Sequence, residues 1–312
     1  MSRLAKAGHI RRSFPLRGLV YMGLGVFCMS VVDAASKQLV GGYSLAQIMF
    51  FTRIPAPFFA VALAMAQGGI LTLGTRRMGW HVLRSIASAA TAVSFVACLR
   101  LLPLADAVAI TFVSPLLMSA LSVPMLREHV GPRRWAAILV GLVGVIVVLQ
   151  PSGAGFGLGA LLALFAAFTY ALSLNLSRLM SDTESSQSMM FWFSVFMLAG
   201  AGALMPFDWQ PPDIFDSLLF ALLAVSATLG QYCVIQAFRY GQVSLLAPLE
   251  YSALIWATSF GFIFWGEFPT PTVLLGAVVI ILSSLYVVQR EALAARRARL
   301  DGERPPPHLP GA

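Results

Sequence analysis

Ionisable side chains inside long apolar segments are the residues of this chain that could do chemistry. Glu250 follows Pro248 and precedes Tyr251 within the apolar segment 243–265. Because proline has no N–H to donate, a backbone carbonyl near it is left free. A buried carboxylate beside disrupted backbone is typical of a site for a solute or a proton. A carboxylate that alternates between its protonated and charged forms could couple the movement of the solute to the movement of protons. The alternative is a structural glutamate paired with another side chain.

A second ionisable group lies in the first two apolar segments. Asp33 and Lys37 are four residues apart, so they share one face of a helix. Arg53 lies about two turns into the next segment. One interpretation is an ion pair of Asp33 with Lys37 or Arg53 that holds the helix ends together. The other makes Asp33 and Arg53 part of a gate or a substrate contact. Arg100 and Asp106 bracket a later connection and predict a structural pair.

Amide, hydroxyl and aromatic groups within other apolar segments are candidates for the walls of a cavity, although each alone also fits helix–helix packing. These candidates are Thr111, Tyr170, Asn175, Gln231, Tyr232 and Trp256. Glu128 and Glu267 end two segments near Gly and Pro, and we interpret them as helix-end or gate residues. The sequence has no HExxH motif and no Gly-rich phosphate loop, and its Cys and His residues lack ligand spacing. We therefore predict no catalytic residues, no metal site and no cofactor.

The elements that must position these residues are membrane-spanning helices. The chain of 312 residues is 58% hydrophobic and 11% charged, whereas about a quarter of residues are charged in soluble proteins. Ten apolar windows approach the roughly 20 residues that span a bilayer. The windows are 18–35, 45–66, 80–99, 104–126, 135–149, 156–176, 189–205, 214–238, 243–265 and 271–288. Barrel strands would be shorter and would alternate polar with apolar residues. The predicted fold is an all-α integral membrane protein.

The basic residues predict the orientation. If the N-terminus is cytoplasmic, 18 of the 21 Lys and Arg residues lie at the cytoplasmic ends of the spans. Lys37, Arg53 and Arg100 are the remainder. Since Lys and Arg mark cytoplasmic loops, the prediction is a multi-pass protein of the bacterial inner membrane with both termini inside. Residues 1–15 form a basic cytoplasmic tail, and 290–312 form a second tail that we expect to be disordered.

A weak internal repeat relates the two halves of the chain. At an offset of 139 residues Arg100 matches Arg239 and Glu128 matches Glu267, while at 141 Lys37 matches Arg178. Glu250 has Thr111 as its counterpart. Each half holds five windows, an odd number, so the second half enters the membrane from the opposite side. The pattern predicts an inverted repeat around a central cavity.

Both halves end in a recognisable motif, in which a glutamate closes a span and a Gly-rich helix follows. The two copies read "LREHVGPRRWAAILVGLVGV" and "WGEFPTPTVLLGAVVI". They resemble the EamA repeat of the drug/metabolite transporter superfamily, over residues 16–150 and 156–289. The resemblance implies a ten-helix secondary transporter with a central cavity. It leaves substrate and direction open, because the superfamily includes exporters and importers. The segments "MSVVDAASKQL" and "AQIMFFTRIPAPFF" are most similar to its riboflavin and S-adenosylmethionine uptake branches.

The function predicted from these features is transport of a small metabolite. Aromatic and amide groups favour a neutral or zwitterionic, partly planar substrate such as riboflavin. S-adenosylmethionine is cationic and would use Asp33 or Glu250, and an exporter of amino acids or related metabolites is the other alternative. A scaffold or a membrane enzyme are alternatives from other classes. The expected partners are the substrate, the lipid bilayer, and a proton or counter-solute. Nucleic acid is not expected, since the basic residues sit in short loops. A homodimer is left open.

Overall fold

The computed structural model describes residues 15–67, 69–126, 131–149, 157–181, 183–240 and 243–300. Within these ranges the chain is helical, with no β-strand. The α-helices in chain order are α1 (Pro15–Leu39), α2 (Leu45–Arg53), α3 (Pro55–Gln67), α4 (Met78–Cys98), α5 (Leu104–Thr111), α6 (Ser114–Leu126), α7 (Pro132–Leu149), α8 (Leu158–Ser181), α9 (Ser186–Leu204), α10 (Ile214–Tyr240), α11 (Val243–Glu250), α12 (Ala253–Trp265) and α13 (Pro271–Leu300). Two short 3-10 helices cover Ile70–Leu73 and Met205–Asp208.

Among the residues that the structure describes, eight helical segments are long and apolar enough to cross a bilayer. They coincide with eight of the ten predicted windows, so an all-helical multi-pass membrane protein is confirmed. The apolar part of α7 is shorter and covers Trp135–Val148. The window 243–265 is divided between α11 and α12. At the other end of the chain α13 continues to Leu300, so the tail from residue 290 begins as helix rather than as the disordered segment we expected.

Two of the windows are interrupted at equivalent positions. Phe112 and Val113 separate α5 from α6, and Tyr251 and Ser252 separate α11 from α12. Both pairs of residues are related by the same offset of 139. At each break the backbone changes to tighter i to i+3 hydrogen bonds, such as the one from the Ser252 N–H to the Leu249 carbonyl. The rings of Phe112 and Tyr251 touch edge to face, with centroids 5.1 Å apart. The two breaks therefore meet inside the bundle.

A third break separates α2 from α3 after Arg53. The helix α3 begins at Pro55, which lacks the N–H that would continue the ladder of α2. No comparable break occurs in α9, the helix at the equivalent place of the second half. The break is thus a feature of the first half alone.

Close helix pairs build the bundle. The helix α1 packs along α10, α4 along α8, and α7 along α13, while α9 contacts α2, α3 and α4. Small residues allow the closest approaches. A Cβ atom added to Gly276 of α13 would lie 2.7 Å from the carbonyl oxygen of Gly144 on α7. The pair α7–α13 thus requires glycine where the backbones meet.

Loop contacts define two opposite faces of the bundle. At the first, which we call the Tyr43 face, the Tyr43 hydroxyl donates to Asp216 at 2.6 Å and Gln47 donates to the Gln210 carbonyl at 2.8 Å. The bond to Asp216 raises the pKa of Tyr43 to about 12, so the hydroxyl remains a donor at physiological pH. These contacts connect the loop before α2 to the first turn of α10, and α2 to the loop before α10.

The opposite end, which we call the Glu184 face, joins the loops 69–77 and 183–185. The backbone N–H of Arg76 donates to the Glu184 carboxylate at 3.4 Å, and the Ser185 hydroxyl donates to the Thr72 carbonyl at 2.6 Å. Ser185 also caps α9, as Ser44 caps α2 at the Tyr43 face. Ser44 and Ser185 are 141 residues apart.

Candidate functional site

An ion pair lies at the Tyr43 face. Lys37 near the end of α1 donates to both carboxylate oxygens of Glu267, at 2.7 and 2.5 Å. Its ammonium group also donates to the Leu102 carbonyl at 3.2 Å and lies 5.1 Å from the centre of the Trp265 ring. Glu267 in turn accepts from the Leu104 N–H, the first of α5, at 3.1 Å. One charged pair therefore joins the ends of α1, α5 and α12.

The conformation after α12 places Glu267 for this role. Gly266 ends the helix in the left-handed region, with φ of 67°, and its N–H returns to the Phe262 carbonyl. The Glu267 N–H then donates to the Gly261 carbonyl at 3.0 Å. The turn directs Glu267 back over the end of its own helix. Lys37 thus pairs with Glu267, 230 residues away, and not with Asp33 as one sequence interpretation had it.

Arg100 also serves a different partner from the predicted one. Its Nε donates to the Val40 carbonyl at 2.7 Å and its Nη2 donates to the Tyr43 carbonyl at 3.1 Å. The guanidinium therefore binds the loop after α1, and the predicted pair with Asp106 is wrong. One carboxylate oxygen of Asp106 is buried without a hydrogen-bond partner in the described chain.

Asp33 and Arg53 lie apart from each other. In the described part of the chain Asp33 forms no ion pair, and its side chain is half-buried. The Arg53 guanidinium lies 5.2 Å from the centre of the Phe193 ring on α9. The predicted alternatives that paired Asp33 with Arg53 or Lys37 are therefore not realised in this conformation.

Glu250 is an exposed carboxylate beside two tyrosines. It ends α11 directly before the break at Tyr251, and Tyr170 on α8 lies near it. Tyr170 lies in the middle of α8 and is 48% exposed. The exposed apolar residues Leu158, Leu161, Phe165 and Phe168 form a stripe on α8. At 100° per residue Tyr170 lies on the opposite side from that stripe.

The geometry around Glu250 therefore fits a polar cavity wall. A lipid-facing helix surface is apolar, as the stripe on α8 is, whereas Tyr170 on the other side is exposed within the bundle. Glu250 accepts no hydrogen bond from the described residues, so its carboxylate is available to a ligand or a proton.

Two other aromatic candidates lie where helices of the first half contact helices of the second half. Trp256 on α12 contacts Phe27 on α1 edge to face at 4.8 Å, and Tyr232 on α10 contacts Phe59 on α3 at 5.5 Å. Gln231, next to Tyr232, is exposed. These side chains provide flat apolar surface between helices of the two halves.

Two candidates make hydrogen bonds that belong to packing. The Asn175 amide is buried and donates to the Met118 carbonyl at 3.0 Å, which joins α8 to α6, and to the Ala171 carbonyl of its own helix at 3.1 Å. The Thr111 hydroxyl donates to the Val108 carbonyl at 2.8 Å, one turn earlier. Asn175 thus connects two helices. The Thr111 hydroxyl makes a hydrogen bond within its own helix, directly before the break in the first half.

The remaining predicted gate residues are described only in part. Arg178 lies in the last turn of α8. Glu128 lies outside the described residues, as does the side chain of Arg239. Among the described residues no group of three His, Cys, Asp or Glu side chains could hold a metal ion.

A polar group around α9 is absent from the residues predicted from the sequence. Arg84 on α4 donates from Nη1 to the Met189 carbonyl at 3.1 Å and lies 4.9 Å from the centre of the Phe193 ring. His81, one turn earlier, is buried with Nε2 at 3.5 Å from the Glu184 carboxylate. Arg84 was counted only as a charge near a helix end. A signal was present in its distance of six residues from the start of α4, which places it more than one turn inside the apolar segment.

Comparison with known proteins connects this architecture to one family. The EamA-like transporter family matches residues 16–150 and again residues 157–289. A solved crystal structure of a protein superposes with a TM-score of 0.60 and 18% identity, covering 90% of this chain and 98% of the other. That likeness concerns the fold.

Three named relatives are similar over most of their length. The chain is 26% identical to the S-adenosylmethionine uptake transporter of Rickettsia bellii over 88% of this chain and 95% of that one. It is 26% identical to the riboflavin transporter of Vibrio cholerae, covering 91% and 97% of the two chains. It is 24% identical to the pseudopaline exporter CntI of Pseudomonas aeruginosa, covering 86% and 94%. Because the family match covers both halves, the chain belongs to the EamA-like transporter family.

Proposed function

We propose that this protein is a secondary transporter that moves a small metabolite across the bacterial inner membrane through ten spans arranged as two inverted repeats. The observation that carries the proposal is the contact between the two helix breaks at Phe112 and Tyr251. Discontinuous helices that meet near the bilayer centre are typical of transporter binding sites, because unwound backbone there can face a ligand. Glu250 immediately precedes one of these breaks.

The helix contacts support the inverted arrangement. If α2–α3, α5–α6 and α11–α12 are each counted as one span, and the shorter helix α7 is also counted as a span, the bundle has ten spans. Exchange of spans 1–5 with spans 6–10 then turns the pair α1–α10 into the pair α8–α4, and both pairs are close. It leaves α7–α13 unchanged. The cap residues Ser44 and Ser185 are equivalent in sequence and lie at opposite faces.

The Lys37–Glu267 pair supports a gate at the Tyr43 face. Its sequence counterparts are Arg178 and Glu128, which the inverted repeat would bring to the Glu184 face. A transporter that alternates between two faces needs a closure at each, and it opens one as the other forms. We take the structure as the state closed at the Tyr43 face. The charge distribution makes this face periplasmic, with both termini cytoplasmic.

Riboflavin or S-adenosylmethionine uptake is the best-supported substrate assignment. Trp256, Phe27, Phe59 and Tyr232 offer aromatic surfaces for a planar ring. The similar proteins from Vibrio cholerae and Rickettsia bellii carry the names of these two transport activities. Export of an amino-acid-like metabolite is the second candidate, favoured by the pseudopaline exporter among the relatives.

Growth rescue tests the assignment. The gene is expressed in a bacterial riboflavin auxotroph that lacks its own importer, and growth is followed on micromolar riboflavin together with uptake of radiolabelled riboflavin and S-adenosylmethionine. We expect rescue or saturable uptake of one of the two. Rescue of neither, with outward flux of amino acids raised instead, would replace import by export.

A further inference from the structure

Two arginines from different helices converge on one aromatic ring. The guanidinium carbon of Arg53 on α2 lies 5.2 Å from the centre of the Phe193 ring, and that of Arg84 on α4 lies 4.9 Å from the same point. The two positive charges are therefore at most about 10 Å apart. Each distance falls within the range of a cation–π contact, so Phe193 holds both side chains in place.

Neither arginine has a counter-charge among the described residues. Lys37 is neutralised by Glu267, but the described ion pairs include neither Arg53 nor Arg84. Arg84 donates one N–H to the Met189 carbonyl, and its Nε is buried without an acceptor in the described chain. Ionisable groups at membrane depth are costly and normally find a partner or face a water-filled cavity. Two positive charges near each other without a counter-charge repel, so a bound anion would stabilise both.

The arginines face the inside of the bundle. Beyond the first turn of α4, which carries the exposed Met78 and Trp80, the exposed apolar residues Val82, Leu83, Ile86 and Val93 form one stripe, as expected of a lipid-facing surface. At 100° per residue Arg84 projects from the opposite side of the helix. Arg53 is half-buried and directly precedes the break between α2 and α3. The helix that carries Phe193 packs against α2, α3 and α4, so the group lies where these elements meet.

We propose that Arg53, Arg84 and Phe193 form a subsite for the anionic group, a carboxylate or a phosphate, of the transported metabolite. This proposal rests on the transport function proposed above. The planar guanidinium fork of an arginine matches both groups in a bidentate manner. Glu250 and Asp33 are separate carboxylates, without an ion pair among the described residues, that suit a cationic part of the same molecule. The substrate class is therefore a metabolite that carries an acidic group, so of the two compounds named above the subsite favours S-adenosylmethionine, which has a carboxylate, over riboflavin, which has neither group.

Matched ligand pairs test the subsite. The first pair is S-adenosylmethionine and its decarboxylated form, which differ in a carboxylate, and the second is flavin mononucleotide and riboflavin, which differ in a phosphate. The purified full-length protein, reconstituted in proteoliposomes, is assayed for uptake of each compound. The same protein in detergent is assayed for thermal stabilisation by each compound. The variants are Arg53→Gln and Arg84→Gln, and Arg290→Gln provides the same substitution at a half-buried arginine at the end of the span Pro271–Arg290, where its partner is Tyr286 of the same helix.

The wild type and Arg290→Gln should prefer the acidic member of at least one pair, and the pair identifies carboxylate or phosphate as the group. In Arg53→Gln and Arg84→Gln this preference should fall roughly ten- to a hundredfold, the effect of losing one charge-assisted hydrogen bond. Arg53→Lys and Arg84→Lys keep the charge but lose the planar fork, so the preference for the acidic compound should fall less than in the Gln variants. These Lys variants replace the Gln variants in the test if the latter fail to fold.

The two proposals fail in different ways. Uptake with no preference for either acidic member, or with the same preference in the Gln variants, would leave transport standing and overturn the subsite. Thermal stabilisation by the acidic members that depends on both arginines, without uptake of any of the four compounds, would support the subsite and count against the transport assignment. If the experiment finds no uptake and also no stabilisation that depends on the arginines, the subsite is overturned too.

Discussion

At the scale of the residue, Lys37 and Glu250 show how differently two charges in one bundle are placed. The Lys37 ammonium group reaches the Glu267 carboxylate, the Leu102 carbonyl and the Trp265 ring. The Glu250 carboxylate has the neighbouring tyrosines and no hydrogen-bond donor among the described residues. Lys37 therefore holds elements together, whereas Glu250 is available to a ligand or a proton.

Replacement of Glu250 by Gln tests that difference. The substitution keeps the shape and removes titration, so the protein should insert and fold while transport falls strongly, by the factor of ten or more expected for a lost charged contact. If the carboxylate couples transport to protons, exchange of substrate across proteoliposomes should survive better than proton-driven accumulation. If it binds substrate, both should fall together. Normal uptake by Glu250→Gln at several pH values would return Glu250 to a structural role.

Cys98 reports on the Lys37–Glu267 pair. It ends α4 at the Tyr43 face and is fully buried, and its carbonyl accepts from the N–H of Leu102, whose own carbonyl accepts from Lys37. In a protein with Cys28→Ser and Cys233→Ser, Lys37→Met should raise the rate at which a membrane-impermeant maleimide labels Cys98 from the periplasm, because the closure is lost. Lys37→Arg, which keeps the charge, is the control. Equal labelling of wild type and Lys37→Met would show that the pair does not close this face.

The candidate charged residues could be picked out from the sequence, but their partners in the structure could not. Lys37 and Glu267 were both expected at gates, but their contact depends on the left-handed turn at Gly266 and on the approach of α1 to α12. Asp33 was the nearest carboxylate in sequence, since helical spacing describes only neighbours within one helix. The Arg53–Phe193–Arg84 group joins three helices, and no local pattern predicts such a convergence.

At the scale of the element, the positions of the windows were predictable and their internal breaks were not. Mean hydropathy identifies the eight long segments directly. Each break has a proline three residues away, Pro115 after Phe112 and Pro248 before Tyr251, but lipid-embedded helices often tolerate proline without breaking. The equivalence of the two positions under the repeat was the available signal.

The contact between α7 and α13 yields a prediction on stability. A Cβ added to Gly276 would lie 2.4 Å from a methyl group of Val148 and 2.7 Å from the Gly144 carbonyl, and the backbone cannot yield. Gly276→Ala should therefore destabilise the protein by about 1–3 kcal/mol, the usual effect of overpacking. Gly200 on α9 has no atom within 4 Å of an added Cβ, so Gly200→Ala is the control. Thermal unfolding in detergent measures both, and equal melting temperatures would contradict the close packing.

At the scale of the whole molecule, two EamA repeats account for the symmetric pattern of contacts. The helix pairs α1–α10 and α4–α8 would exchange with each other under the proposed inverted repeat, and the same operation would relate the loops at the Tyr43 and Glu184 faces. The recurrence of charged residues in the sequence was the first indication of this proposed relation. Orientation in the membrane rests on the distribution of Lys and Arg.

Single-cysteine labelling tests the orientation. Cysteines introduced at both termini and in the Arg76–Arg77 loop should be protected from an impermeant reagent in intact cells, and one in the Pro211–Pro212 loop should react. Lysed cells provide the reference in which all four positions react. Labelling of the Arg76–Arg77 loop from outside would reverse the proposed orientation.

The most direct measurement of the central claim is solute flux through proteoliposomes that contain this protein alone. Vesicles preloaded with unlabelled riboflavin or S-adenosylmethionine are diluted into the labelled compound, and counterflow is compared with protein-free vesicles and with Glu250→Gln. A secondary transporter requires no other protein, so wild-type vesicles should accumulate label transiently and saturably, and the variant should accumulate far less. If correctly folded, reconstituted protein carries neither these compounds nor amino acids above the protein-free level, the protein is not the transporter proposed.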